Sequence, residues 1–99
     1  MTTLRIEHPV PNFEGWKRAF DSDPIGRERS GVRRYEVARS IDDPNYVMID
    51  LEFDTLAEAH AFLVSLRELW AGAGGQVSAS QQARIVETVE TREYAAHRA

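Results

Sequence analysis

The sequence predicts an α+β fold with the element order β-α-β-β-α-β: an antiparallel four-stranded sheet with two helices on one face. Three observations carry this. From Tyr46 to Phe53 the apolar Val47, Ile49, Leu51 and Phe53 stand at every second position, the pattern of a strand buried on one side. Behind Asn12 and again behind Thr55, apolar residues recur at helical spacing instead. Shorter alternating segments stand at the start of the chain, before Tyr46 and after the second helical stretch.

The first strand is expected over Thr3 to His8. Leu4, Ile6 and His8 share one face, Arg5 and Glu7 the other. Pro9 and Pro11 end it. Asn12 is a good helix N-cap, with Glu14 in the first turn, where the helix dipole favours a carboxylate. Phe13, Trp16 and Phe20 then make one apolar stripe, and Pro24 stops the helix. Residues 22–31 form a loop. A second strand from about Val32 to Ser40 and a third from Tyr46 to Phe53 flank Asp42-Asp43-Pro44-Asn45, a turn by composition, and so make a hairpin.

Val47, Ile49, Leu51 and Phe53 take the core face of the third strand; Tyr46, Met48, Asp50 and Glu52 take the other. That second face is either solvated or covered by a second subunit. Thr55-Leu56-Ala57-Glu58 reads as a capping box in which hydroxyl and carboxylate each satisfy an end amide. The helix behind it carries Ala59, Phe62, Leu63, Leu66, Leu69 and Trp70 in one stripe, and Gly72, Gly74 and Gly75 end it. A loop through Ser78 and Ser80 leads to a last strand, Gln82 to Glu90. The tail, Thr91 to Ala99, lacks a strong apolar face.

Ninety-nine residues leave room for one core, so the expected domain is 1–99, with a core over about 3–90 and a tail over 91–99. The absence of cysteine excludes disulfides, thiolate metal sites and cysteine nucleophiles. A net charge of −4 argues against nonspecific nucleic-acid binding, which needs a basic surface. No apolar run approaches a membrane span, and charges interrupt the N-terminal segment where a signal peptide needs an apolar run. A cytoplasmic protein without membrane or nucleic-acid partners is expected.

This is the split βαβ, or ferredoxin-like, arrangement. Three groups of residues carry a closer likeness: His8-x3-Asn12-x3-Trp16-Lys17-x2-Phe20-Asp21, then Arg39-x2-Asp42-Asp43-Pro44-Asn45, then Ala61-Phe62-x2-Ser65 ahead of the glycines. Together they resemble the dimeric α+β barrel proteins grouped with antibiotic-biosynthesis monooxygenases, over about residues 3–90. The resemblance implies a homodimer whose sheets meet face to face. It also implies one of several activities: cofactor-independent oxygenation of aromatic molecules, haem chemistry, isomerisation or regulation. The haem-degrading members use an Asn on the first strand, then a Trp and a His on the second helix. Here the first strand has no Asn, Phe62 takes the Trp place and the Gly72 region the His place. Haem binding without degradation is the least favoured reading.

His8, Asn12 and Trp16 straddle the junction of first strand and first helix. They would line one mouth of a cavity between sheet and helices, with His8 as base or hydrogen-bond donor. In the structural alternative, Asn12 only caps, Trp16 fills the core and His8 ends a strand. Phe62 and Trp70 are core residues that would also make walls for an aromatic ligand. Tyr35 is a candidate cavity residue with a catalytic role. His60 falls off the buried stripe and His97 sits in the tail, so no metal site is expected. Asp50 and Glu52 either serve as an acid and base pair or, better, pair with arginines across a dimer interface. Arg27, Arg29, Arg33, Arg34 and Arg39 either grip an acidic ligand or, better, form a solvated loop and a salt-bridged strand. Gly72-Ala73-Gly74-Gly75 follows a helix, which excludes a dinucleotide-binding loop.

The expected function is binding of a small apolar or aromatic molecule, with a cofactor-independent, monooxygenase-like reaction on it. A non-catalytic binding or assembly protein on the same fold is the alternative. A cavity between sheet and helices favours the first, and a fully packed interior the second.

Overall fold

The computed structural model describes residues 1–72 and 81–95. Six elements follow the expected order: β1 (Thr2–Pro9), α1 (Phe13–Asp21), β2 (Val32–Arg39), β3 (Tyr46–Phe53), α2 (Leu56–Gly72) and β4 (Gln82–Glu87). The strands form one antiparallel sheet in the order β2-β3-β1-β4, so the two central strands are β3 and β1. Leu4 pairs with Leu51 and Ile6 with Ile49, which stacks the apolar sides of the central strands on one face. Both helices lie on that face.

The core is the seam between this face and α2. Leu4, Val47 and Phe53 are fully buried, and Ala59, Phe62 and Leu63 of α2 close over them. Phe53 and Phe62 meet at a centroid distance of 5.6 Å. Leu69, expected on the same stripe, is 42% exposed. The last turns of α2 line a cavity with Leu66, Leu69 and Trp70.

The caps explain where the helices begin. The Asn12 side chain accepts from the Gly15 amide at 2.9 Å, and Asn45 of the hairpin turn accepts from the Phe13 amide at 3.0 Å. A second bond, Val10 N–H to the Asn45 carbonyl at 2.7 Å, ties the same turn to the entry of α1. At α2, Thr55 Oγ1 accepts from the Glu58 amide at 3.1 Å, as expected of a capping box. The Glu58 carboxylate, however, accepts from the Thr55 hydroxyl and not from an end amide. The hairpin turn is Asp43 to Tyr46, one residue later than composition alone suggests: Tyr46 N–H bonds to the Asp43 carbonyl, and Asp43 Oδ1 accepts from the Asn45 amide.

β4 ends at Glu87 and not at Glu90. It is an edge strand paired only with β1, and the last bond, Thr88 N–H to the Met1 carbonyl, uses up the first residue of its partner. Residues 88–95 have no regular structure. Gly74, Gly75, Ser78, Ser80 and His97 lie outside the described residues.

The outer face of the sheet is a lattice of cross-strand ion pairs. Arg5 holds Asp50 through two bonds, at 3.0 and 3.2 Å. Arg34 holds Glu52 across the β2–β3 ladder and Glu36 along its own strand. The Tyr46 hydroxyl donates to Glu7 at 2.7 Å, and that bond raises the Tyr46 pKa. The carboxylates of β3 thus pair with arginines of the same sheet.

Candidate functional site

None of the residues of α1 is fully buried. Its aromatic stripe faces the sheet without closing on it, and the gap is a cavity of about 310 Å³. The sheet supplies the floor with Ile6, His8, Ile49 and Leu51. Trp16 and Phe20 of α1 form one wall and Phe62, Leu66 and Trp70 of α2 the other, while Pro24 and Ile25 close the loop side. The volume lies at the small end of ligand sites, which run from roughly 300 to 1,000 Å³ and are mostly apolar with a few placed polar groups.

The polar group on the floor is His8. Period two puts it on the helix-facing side of β1, beside Val47, and it is only 3% exposed. Its Nδ1 lies 3.1 Å from the Pro9 carbonyl oxygen. A carbonyl can only accept, so Nδ1 carries the proton and the neutral ring keeps its lone pair on Nε2. Among the described residues nothing hydrogen-bonds Nε2. Trp16 and Trp70 meet the imidazole edge-on at 6.3 and 6.5 Å. Burial disfavours the imidazolium and lowers the His8 pKa, and the Pro9 carbonyl offsets part of that by stabilising the charged ring. At neutral pH the ring is therefore a base and not an acid.

Four of the six residues singled out from the sequence meet here: His8, Trp16, Phe62 and Trp70. Trp16 lines the cavity as a partly buried residue and does not fill the core. Asn12 caps α1 and stays outside the lining. Tyr35 is not brought to His8. Its ring packs edge-on against Phe20 at 5.2 Å, is 42% exposed, and borders a more open depression of about 540 Å³ with Arg33 and Arg34, which shares Asp23 and Arg27 with the cavity. The far side of Phe20 holds it there. A proton relay between Tyr35 and His8 has no geometric basis.

Sequence reasoning missed the loop wall. Pro24 and Ile25 carry no signal beyond turn composition, although Phe20 shares the Trp16 stripe and was legible. The arginines from Arg27 to Arg39 do not act as one site. Arg33 holds Asp54 at 2.8 Å, Arg34 is engaged by Glu52 and Glu36, and Arg39 lies over the Phe13 ring at 4.4 Å. Arg27 alone of them reaches the apolar cavity. His60 is exposed. Among the described residues no three histidine or carboxylate side chains are grouped to hold a metal ion, and no helix is long and apolar enough to cross a membrane.

The architecture is that of the ferredoxin-like α+β proteins, and solved structures share it. A protein of Nitrosomonas europaea, provisionally named an antibiotic biosynthesis monooxygenase, matches 91% of this chain and all of its own with a TM-score of 0.68 at 20% identity. One of Deinococcus radiodurans with the same provisional name matches 97% of this chain and all of its own, with a TM-score of 0.73 at 14% identity. A dimeric ferredoxin-like protein from an uncultured marine organism matches 94% of this chain and 96% of its own, with a TM-score of 0.61 at 13% identity. These likenesses establish the fold. No family model and no curated protein matches the sequence.

Proposed function

We propose that the protein binds a small, aromatic molecule in this cavity and oxidises it without a cofactor, His8 serving as the base. The observation that carries the reading is a buried, neutral imidazole with an unused Nε2 lone pair, set between two indoles in an apolar cavity. The provisional names of the structural neighbours support it. Nε2 takes a proton from the ring CH2 of the substrate's keto tautomer, and the resulting anion supplies electrons to dioxygen. One oxygen atom stays on that ring carbon. The other leaves as water with both hydrogens of the carbon, one of them returned by His8. The surrounding apolar walls exclude solvent from the anion.

The reading includes a homodimer formed through the outer sheet face, supported by the dimeric neighbour and by a surface whose Asp50, Glu52 and Glu36 carboxylates are already paired with Arg5 and Arg34 of the same sheet. Native mass spectrometry of freshly purified protein tests assembly and occupancy together: a dimer retaining an aromatic mass is expected, and a monomer at micromolar concentration contradicts the face-to-face pairing. Oxygen uptake with a panel of hydroxyaromatic molecules tests the chemistry. Turnover is expected to fall by about 100-fold or more in His8→Ala, the usual worth of a general base. Unchanged turnover in a folded variant removes His8 from the mechanism.

A further inference from the structure

We propose that Arg27 makes the cavity selective for an aromatic molecule bearing a carboxylate at its loop-side end. The inference rests on the cavity being a ligand site and adds the chemical class of the ligand. Arg27 is the one cation that lines the cavity among the described residues, and its side chain is only 15% exposed. Its Cζ lies 4.0 Å from the centroid of the Phe20 ring and 4.9 Å from that of Tyr35, at the boundary between the cavity and the open depression. Nη1 donates to the Phe20 carbonyl at 2.8 Å, which fixes the head at the end of α1.

The donors of Arg27 are mostly unspent. A guanidinium has five N–H groups in a rigid fork. Among the described residues only the Phe20 carbonyl accepts one of them within hydrogen-bond distance. The nearest carboxylate, Asp23, stands 3.7 Å from Nε, and its Oδ1 accepts the Arg27 backbone N–H at 2.8 Å instead. Arg33 and Arg34 differ on this point, since both donate directly to carboxylates. A positioned fork with free donors at an apolar boundary suits a carboxylate, which it can take through two parallel bonds.

The two ends of the cavity are therefore chemically distinct. His8 Nε2 is an acceptor on the floor, and Arg27 is a cationic donor at the loop. Between them Trp16 and Phe20 stack at 5.1 Å with an interplanar angle of 28°. A planar ring system lying along that stack would present its acidic position to His8 and its carboxylate to Arg27. Asp23 also lines the cavity and stands 3.7 Å from Nε, so the ligand carboxylate takes the donors on the two Nη atoms.

The test uses 2-naphthoate and its uncharged isostere 2-naphthamide, titrated into the full chain near neutral pH. Both tryptophans, Trp16 and Trp70, line the cavity and report binding by fluorescence quenching. The naphthoate is expected to bind at least about tenfold more tightly. Arg27→Met should bring it to the level of the amide and leave the amide unchanged, with Arg27→Lys recovering part of the difference. Equal affinity of the wild-type protein for the two probes overturns the proposal while leaving the cavity a ligand site, and needs no variant to fold. A preference that survives Arg27→Met also overturns it. Binding of neither probe overturns both this proposal and the ligand-site reading.

Discussion

The two helices lie on the same face of the same sheet, yet they do different things. α2 seats Ala59, Phe62 and Leu63 in the core, and its first turn is closed by Thr55 and Glu58. α1 has the cleaner aromatic stripe and buries none of it completely. It is held at its start, by Asn12 and by Asn45 of the hairpin turn, and at its end by the loop that carries Arg27. A helix anchored at its ends and unseated in the middle leaves room beneath it. The strongest amphipathic pattern in the chain thus marks a cavity wall and not the packed core. The lesson is that a stripe of aromatic side chains says which way a helix faces, but not whether anything fills the space it faces.

The sharpest way to break this contrast is to truncate one aromatic on each side. Phe53→Ala removes a ring that is 0% exposed from the α2 seam, and the expected cost is about 3–5 kcal/mol. Trp16→Ala removes a larger ring from α1, but one that is already half-open to the cavity, and should cost roughly half as much or less. Urea unfolding of both variants decides it. Equal losses would mean that α1 is packed as firmly as α2, and the cavity would lose its structural basis.

A smaller effect is expected where the halves meet. Gly31 ends the loop after α1 with φ of 102°, a conformation that side chains rarely adopt. A Cβ there would stand 2.6 Å from the Glu58 carboxylate, in the first turn of α2. Gly31→Ala should therefore cost about 1–3 kcal/mol from backbone strain and displaced Glu58 together. The double variant Gly31→Ala/Glu58→Ala sharpens this: it relieves the contact and keeps the strain, so part of the loss should remain. A neutral Gly31→Ala would show that the loop moves independently of α2.

Much of this was legible in the sequence because it rests on local rules. The alternation of β3, the Asn12 and Thr55 caps and the proline after α1 each fix an element through its own backbone needs. The orientation of His8 followed from period two alone. Tyr35 was misplaced for a reason no local rule contains: its strand face was read rightly, but Phe20 comes between its ring and the cavity. The role of Arg27 was hidden in the same way. Within a run of five arginines nothing local separates Arg27 and Arg39, which lie over aromatic rings, from Arg33 and Arg34, which donate to carboxylates, or singles out the one that lines the cavity.

His8 joins the two regions, since it lies between Trp16 of α1 and Trp70 of α2, and its ionisation gives the mildest test of the contrast. Burial lowers its pKa in the folded state below the ordinary 6.5. The unfolded chain therefore takes up a proton first as the pH falls. Stability contributed at His8 is fully present above 6.5, declines below it, and stops declining once the folded ring is protonated as well. Urea unfolding at about one pH unit above and below 6.5 should show a loss on acidification in the wild type and a smaller one in His8→Gln. Once the pH falls through the lowered pKa of the folded ring, the imidazolium also brings charge into an apolar space shared by both indoles, so the tryptophan emission should shift before the protein unfolds. Identical slopes in the two proteins would mean that the ring is as well solvated folded as unfolded, and that the space beneath α1 is wet instead of dry.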